Sequence, residues 1–495
     1  MITLLFLDFA GFTHGIFAWT AKLQFLPAIL ALNAIVIIGL LILTLVFGRL
    51  YCSVICPLGV FQDIVSHIAG KFKKRRFRYS PTLSWLRYII FGVLVLAIVL
   101  HVAGFGFIAA WLDPYAAYGR IVSNLFSPVY NWFNNIFAGI AEKSDSYMFY
   151  RVDILIKSGI TFAVAAVTFV IVAFFAWKHG RTYCNTFCPV GTLLGFFSRF
   201  SLFRPMIDES KCVHCSLCER NCKAACINSK LMAIDHSRCV TCFNCIDNCH
   251  RGAIKYRLRS KKTPTTPTPV ADTPKTNASA SETPNTNLRN FIATTGVFLA
   301  GAAINAQTKN VDGGLAVIKD KQAPERNLIP APPGSKSIKS LNSHCTGCQL
   351  CIQVCPNSVL SPSEKIGTLM HPEMSFEKGF CRPECTKCSE VCPTGAINKI
   401  SVAEKSSTQI GHAVTNRHVC LAASKQEHCH KCASICPTGA IKMVPLDPNE
   451  TGKGAARIPV VDSEKCIGCG KCEYLCPARP TPGIYVEGHE VHRTI

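Results

Sequence analysis

The sequence contains no Cys-x-x-Cys-His, which excludes covalently attached c-type haem. Acidic residues are scarce, with 30 Asp and Glu against 52 Lys and Arg, and the formal charge is +22. That charge gathers beside apolar runs, with no basic helix and no stripe of cations interleaved with aromatics. Nucleic acid is thereby excluded as a partner, and the charge reads as a signal of membrane topology.

Cysteine, in contrast, is in large excess, at 29 of 495 residues, and most of it falls in short regular runs rather than the scattered pattern of a disulfide framework. Cys212, Cys215, Cys218 and Cys222 form C-x2-C-x2-C-x3-C, and Cys239, Cys242, Cys245 and Cys249 repeat it. Cys345, Cys348, Cys351 and Cys355 do the same, as do Cys466, Cys469, Cys472 and Cys476. Two further runs are stretched at the first gap: Cys381, Cys385, Cys388, Cys392 and Cys420, Cys429, Cys432, Cys436. Three close thiolates wrap three irons of a cubane while the fourth reaches a neighbouring cluster, so such runs work in pairs. A single tetrahedral zinc would be crowded by three ligands so close together. These 24 cysteines are read as the metal ligands of six [4Fe-4S] clusters, which hold together domains whose own cores are small. In the first pair, Cys212, Cys215, Cys218 and Cys249 take one cluster, and Cys239, Cys242, Cys245 and Cys222 the other. Cys226 is left over as a buried free thiol. His250, where proline usually stands, reads as a surface residue or a neighbour of the ligands. The phrase Pro-Thr-Gly-Ala-Ile after both Cys392 and Cys436 predicts a turn into a β-strand.

Residues Ala28–Phe47, Tyr88–Ala110 and Ser158–Trp177 are each apolar over about 20 residues, enough to cross a bilayer as helix. Between the first two lie Lys71, Lys73, Lys74, Arg75, Arg76, Arg78 and Arg87, so that loop is expected in the cytoplasm. The expected fold is an α-helical membrane domain followed by α+β ferredoxin-like 4Fe-4S domains, one with two clusters and one with four. Its division is a transmembrane domain over 1–205, a two-cluster domain over 206–259, a Thr/Pro-rich linker over 260–287, an apolar segment over 288–306, a connector over 307–340 and a four-cluster domain over 341–495. The linker composition cannot bury a core. The apolar segment reads as a short span, an internal signal, a twin-arginine signal retaining only Arg289, or a packed helix. The first three readings place the four-cluster domain outside the cytoplasm.

Two phrases at the membrane edge repeat each other: GRLYCSVICPLG at 48–59 and GRTYCNTFCPVG at 180–191. On a helix Cys52 and Cys56 share a face, as do Cys184 and Cys188, and Pro57 and Pro189 end each span and begin a surface helix. If the repeats pack about a pseudo-two-fold axis, the four thiols converge at the cytoplasmic interface. They then form a thiolate metal site, a redox pair near quinol, or a packing site of small residues. His14 and His101 are weak haem candidates. Leu7-Asp8 answers Leu112-Asp113 of the second repeat, yet only six residues precede Leu7, too few for the helix the repeat requires. Either the native start lies upstream of Met1, the favoured reading, or this form has lost that helix.

The doubled GR-x-[YF]-C-x3-CP with two following clusters resembles the NapH-type membrane iron-sulfur protein over roughly 1–257, and residues 287–480 resemble a NapG-type four-cluster ferredoxin. NosR-like and CcoG-like chains share the doubled phrase. A NosR-like chain should carry a flavin domain ahead of the first span, and a CcoG-like chain should end in a span and a β-sandwich; neither feature is found here. The resemblance implies a quinol dehydrogenase module on the bacterial inner membrane, passing electrons from menaquinol or ubiquinol to an extracytoplasmic reductase, such as periplasmic nitrate reductase, or to a cytochrome. It also implies nested cluster sharing: Cys345, Cys348 and Cys351 with Cys476; Cys466, Cys469 and Cys472 with Cys355; Cys381, Cys385 and Cys388 with Cys436; Cys420, Cys429 and Cys432 with Cys392. The competing readings are an assembly factor that reduces or inserts a client's metal cofactor, and a membrane-tethered cytoplasmic ferredoxin.

Overall fold

The computed structural model describes the chain apart from residues 9–11, 73–76, 81–83, 103–110, 144, 146–148, 153, 155, 260–310, 313–315, 318–320, 425–427 and 447–456. Residues 1–259 and 323–495 form one compact unit and residues 260–322 another. In the second unit the described strands are one short antiparallel pair, Val311–Asp312 with Ala316–Val317. The linker and apolar segment expected over 260–306 lie outside the described residues, as do Lys73, Lys74, Arg75 and Arg76 of the cationic loop.

In the first 198 residues of the large unit every described regular element is a helix. The Gly159–His179 helix is capped by Ser158, whose side chain accepts from Thr161 N, and it ends at Gly180, where φ is 64°. Ile160, Val167, Val170, Ile171 and Phe174 face outward along it. Its 21 residues reach about 31 Å at 1.5 Å per residue, the thickness of a hydrocarbon core. Among the described residues it is the one helix long and apolar enough to cross a membrane. The run expected as a single span over 28–47 is two helices, Phe25–Leu30 and Ala34–Phe47. Leu32 at φ 52° breaks the run, and Asn33 then caps the second helix by accepting from Val36 N at 3.3 Å. The run over 88–110 is a helix from Ser84 to Val102 as far as it is described.

The two repeats exchange partners. After its proline the first continues as Pro57–Phe72 and packs against Gly159–His179, while the second continues as Pro189–Ser198 and packs against Ala34–Phe47. Phe61 and Phe169 meet at 5.7 Å, and Phe72 stacks on Trp177 at 6.1 Å between ring centres. The repeat extends to the aspartates: Asp113 caps Pro114–Ile121 by accepting from Tyr115 N and Ala116 N, and Asp8 accepts from Thr13 N at the head of Phe12–Lys22.

The cysteine-rich parts are built of two-stranded antiparallel ribbons. Phe203–Ile207 pairs with Ile254–Leu258 around the first two runs, and Thr408–Thr415 pairs with Ile484–Thr494 in the C-terminal part. The strand expected after Cys436 is present as Ile441–Pro445, paired with Arg457–Val461. The one expected after Cys392 does not form. There, Ile397 N donates to Cys392 Sγ at 3.4 Å and Asn398 N to Gly334 O at 2.9 Å, so these donors are not free for a ladder.

Arg181 is fully buried and holds Asp63 through Nε at 2.8 Å and Nη2 at 2.7 Å. Asp63→Ala should leave that cation without its carboxylate and cost about 3–5 kcal/mol. The expected outcome is a large fall in thermal midpoint of the purified protein, partly recovered in Asp63→Asn.

Candidate metal centres

In the two-cluster part, Cys222, Cys239, Cys242 and Cys245 line one cavity, and Cys212, Cys215, Cys218 and Cys249 line another together with His250. These are the two sets expected from spacing. The local backbone explains the wrapping. In all four unstretched runs, the residues just before and just after the second cysteine have positive φ: His214 and Ser216, Thr241 and Phe243, Gly347 and Gln349, Gly468 and Gly470. Left-handed residues curl the chain so that successive N–H groups point inward, forming a concavity suited to an anionic cluster.

Cys226 is more than a leftover thiol. It is buried in the first cavity with its sulfur 3.5 Å from Cys222 Sγ. Its contact with Cys222 and Cys239 lowers both of those thiols, while Cys226 itself is pushed well up by the same two neighbours and by burial. With Cys222 and Cys239 as cluster thiolates, Cys226 is the neighbour that has a proton to donate to them. Spacing could not reveal this, because Cys226 belongs to no run.

In the C-terminal part, three cavities are lined by Cys355 with Cys381, Cys385 and Cys388; by Cys476 with Cys420, Cys429 and Cys432; and by Cys436 with Cys466, Cys469 and Cys472. Cys345, Cys348 and Cys351 all face Cys392. Each run therefore exchanges its fourth cysteine with its neighbour in sequence, and the nested pairing is corrected. The helices Leu350–Val354 and Lys387–Val391 pack directly together, as do Lys431–Ser434 and Lys471–Tyr474, which brings the fourth cysteines to adjacent sites.

The phrases that carry Cys52, Cys56, Cys184 and Cys188 are not α-helical. Tyr51–Ile55 and Tyr183–Phe187 are π-helical turns, closed by Cys56 N to Tyr51 O at 2.9 Å and Cys188 N to Tyr183 O at 3.0 Å. Such turns are rare and often mark functional positions. All four thiols are buried, and the two turns meet: Arg49 Nη2 reaches both Cys52 Sγ at 3.7 Å and Cys184 O at 3.3 Å, and Cys56 and Cys188 both lie within electrostatic range of Cys52 and Cys184. The arginines of the two phrases cross over. Arg181 Nη1 donates to Cys52 O at 2.5 Å, while Arg49 donates to Cys184 O at 3.3 Å and Asn185 Oδ1 at 2.7 Å. Gly59 and Gly191 make room for this: a Cβ would lie 2.2 Å from Cys52 O at the first and 2.1 Å from Cys184 O at the second. Arg49 and Arg181 stood in the repeated phrase, but their exchange required two segments far apart in sequence to be seen together. His14, one of the two haem candidates, instead pairs with Asp8 at 3.1 Å; the side chain of His101 lies outside the described residues.

Family models described as a 4Fe-4S binding domain match residues 29–75 and 159–206, and a 4Fe-4S dicluster domain matches 344–396 and 427–479. The two dicluster matches group neighbouring runs, in accord with the observed cysteine sets. The methylamine utilization ferredoxin-type protein MauM of Methylobacillus flagellatus is 32% identical over 171 residues, covering 33% of this chain and 70% of MauM. The chain belongs to the MauM ferredoxin-type family. MauM of Methylophilus methylotrophus is 31% identical over 72% of its length, and the ferredoxin-type protein NapG of Escherichia coli is 29% identical over 75% of its length. The likeness to MauM and NapG covers about a third of this iron-sulfur electron-transfer protein.

A thiol donating to ligand sulfurs stabilises the more negative, reduced cluster. Cys226→Ala should therefore lower the potential of the cluster on Cys222, Cys239, Cys242 and Cys245 by tens of millivolts, at about 59 mV per tenfold change for one electron. A redox titration followed by electron paramagnetic resonance checks this, with the remaining signals unmoved.

Proposed function

We propose that the chain is a quinol dehydrogenase module of the bacterial inner membrane that passes electrons through 4Fe-4S clusters to an extracytoplasmic reductase or cytochrome. Each of the six sets of four cysteines described above can hold a cluster, and when bound the clusters supply one-electron transfer. The observation that carries the reading is what sits at the two ends of Gly159–His179. At its start, Lys157 Nζ donates to Ile352 O at 2.9 Å and Ser158 Oγ to Glu364 at 2.7 Å, both in the four-cluster part. Just past its end, Arg181 N donates to Lys223 O at 2.8 Å, beside Cys222 of the two-cluster part. A helix of membrane length thus separates the two cysteine-rich parts. With the two-cluster part in the cytoplasm, the four-cluster part lies outside.

Quinol releases two electrons and two protons on oxidation; clusters held by these cysteines would take up the electrons singly, and the protons would go to solvent. The set formed by Cys212, Cys215, Cys218 and Cys249 is the more open one in the two-cluster part, with Cys215 exposed.

Anaerobically isolated protein should carry at least about 24 irons, four per cluster, and a reduced quinol analogue should bleach its visible absorbance in membrane vesicles. A colourless, zinc-filled protein would sink the cluster reading. Failure of every quinol to reduce it, together with metal delivery to a client enzyme, would favour the assembly factor. A reporter active only outside the cytoplasm, fused after Ile495, should be active; activity of a cytoplasm-only reporter there would overturn the sidedness.

A further inference from the structure

We propose that Cys52, Cys56, Cys184 and Cys188 together hold one further iron-sulfur cluster, shared between the two repeats, which connects the two-cluster part to the four-cluster part. The proposal rests on reading the six cysteine runs as cluster sites.

The first observation concerns the sulfurs. Each has an N–H donor: Arg49 to Cys52 at 3.7 Å, Gln62 to Cys184 at 3.1 Å, Gly191 N to Cys188 at 3.4 Å, and Gly59 N to Cys56. The same contact recurs in the cluster runs, as with Gly347 N to Cys345 at 3.3 Å and Ala413 N to Cys466 at 3.4 Å. Thiols buried only for packing need no such donors; sulfurs carrying negative charge do. The second is charge. Arg49 is fully buried, and none of the described ion pairs includes it; its partners are neutral oxygens and Cys52 Sγ. A buried cation calls for a nearby anion, and a cluster on four thiolates is one.

The third is stoichiometry. Each matched 4Fe-4S segment, 29–75 and 159–206, contributes only two cysteines, so one cluster needs both.

The fourth is position. One continuous apolar core contains Cys222 and Cys226, then Cys52, Cys56 and Cys188, then Cys348. On one side Arg49 reaches Ser237 O at 3.2 Å and Asn185 reaches Ala224 O at 3.2 Å, both beside ligands of the two-cluster part. On the other, Arg120 faces Tyr183 and donates to Gly347 O at 3.5 Å, and Asn124 donates to Gln349 Oε1 at 2.8 Å, flanking Cys348. A cluster held there would supply one-electron transfer by iron valence change, and the two protons of the quinol O–H bonds would leave to solvent on the donor side.

The test compares the full-length protein with Cys56→Ser/Cys188→Ser, purified anaerobically. The expected result is a loss of two or four irons per chain with equal sulfide, disappearance of one resonance signal, and retention of the six-run signals. Quinol should then reduce clusters in only one of the two cysteine-rich parts, while dithionite reduces both. Cys56→Ala/Cys188→Ala should lose the same signal, and retention of the six-run signals in both double variants shows that the protein has folded. Unchanged iron with about 24 retained overturns this proposal but leaves the six-run reading intact; iron near zero in the parent protein overturns both. Loss of one zinc in place of iron also overturns it.

Discussion

The exchange of arginines between the repeats is the contact on which the rest of the large unit depends. Arg49 and Arg181 each leave their own phrase and take up the carbonyl of the first cysteine in the other phrase. A buried guanidinium is tolerable only when its donors are used, so each arginine fixes the partner's π-helical turn as well as its own. That requirement places glycine two residues after each proline, where any side chain would meet the crossing group.

From that junction the contacts run in two directions. Lys223, Ala224 and Ser237, which receive hydrogen bonds from the repeat core, lie close in sequence to Cys222 and Cys239. Gly347 and Gln349, contacted from Pro114–Ile121 and the turn after it, flank Cys348. The cysteine-rich parts are thus not tethered loosely to the helices. Each presents one ligand loop to the repeat core, and the chemistry of an electron carrier needs this, because electron transfer falls off with separation and benefits from a rigid, dry path.

How far the sequence carried can be judged from particular residues. The cysteine sets of the two-cluster part followed from run spacing, because the fourth cysteine of a run points away from its own cluster. The same rule could not say which of four C-terminal runs pair. The nested arrangement failed there because helix packing between neighbouring runs, such as Leu350–Val354 on Lys387–Val391, decides which cysteine crosses to which site. The span over 28–47 was misjudged because mean apolarity conceals one left-handed leucine and one capping asparagine.

The sequence by itself determined which side chains could act: thiols in wrapping distance of one another, a doubled phrase with arginine, cysteine and proline in fixed order, and long apolar runs that water would reject. These are local properties, set by covalent spacing and solvation. The tertiary structure alone decided which thiols meet, that Arg49 and Arg181 answer one another, and that Cys226 sits against a ligand sulfur. Those relations join residues over a hundred positions apart, or depend on burial from several sides, and only packing brings such groups within hydrogen-bonding distance.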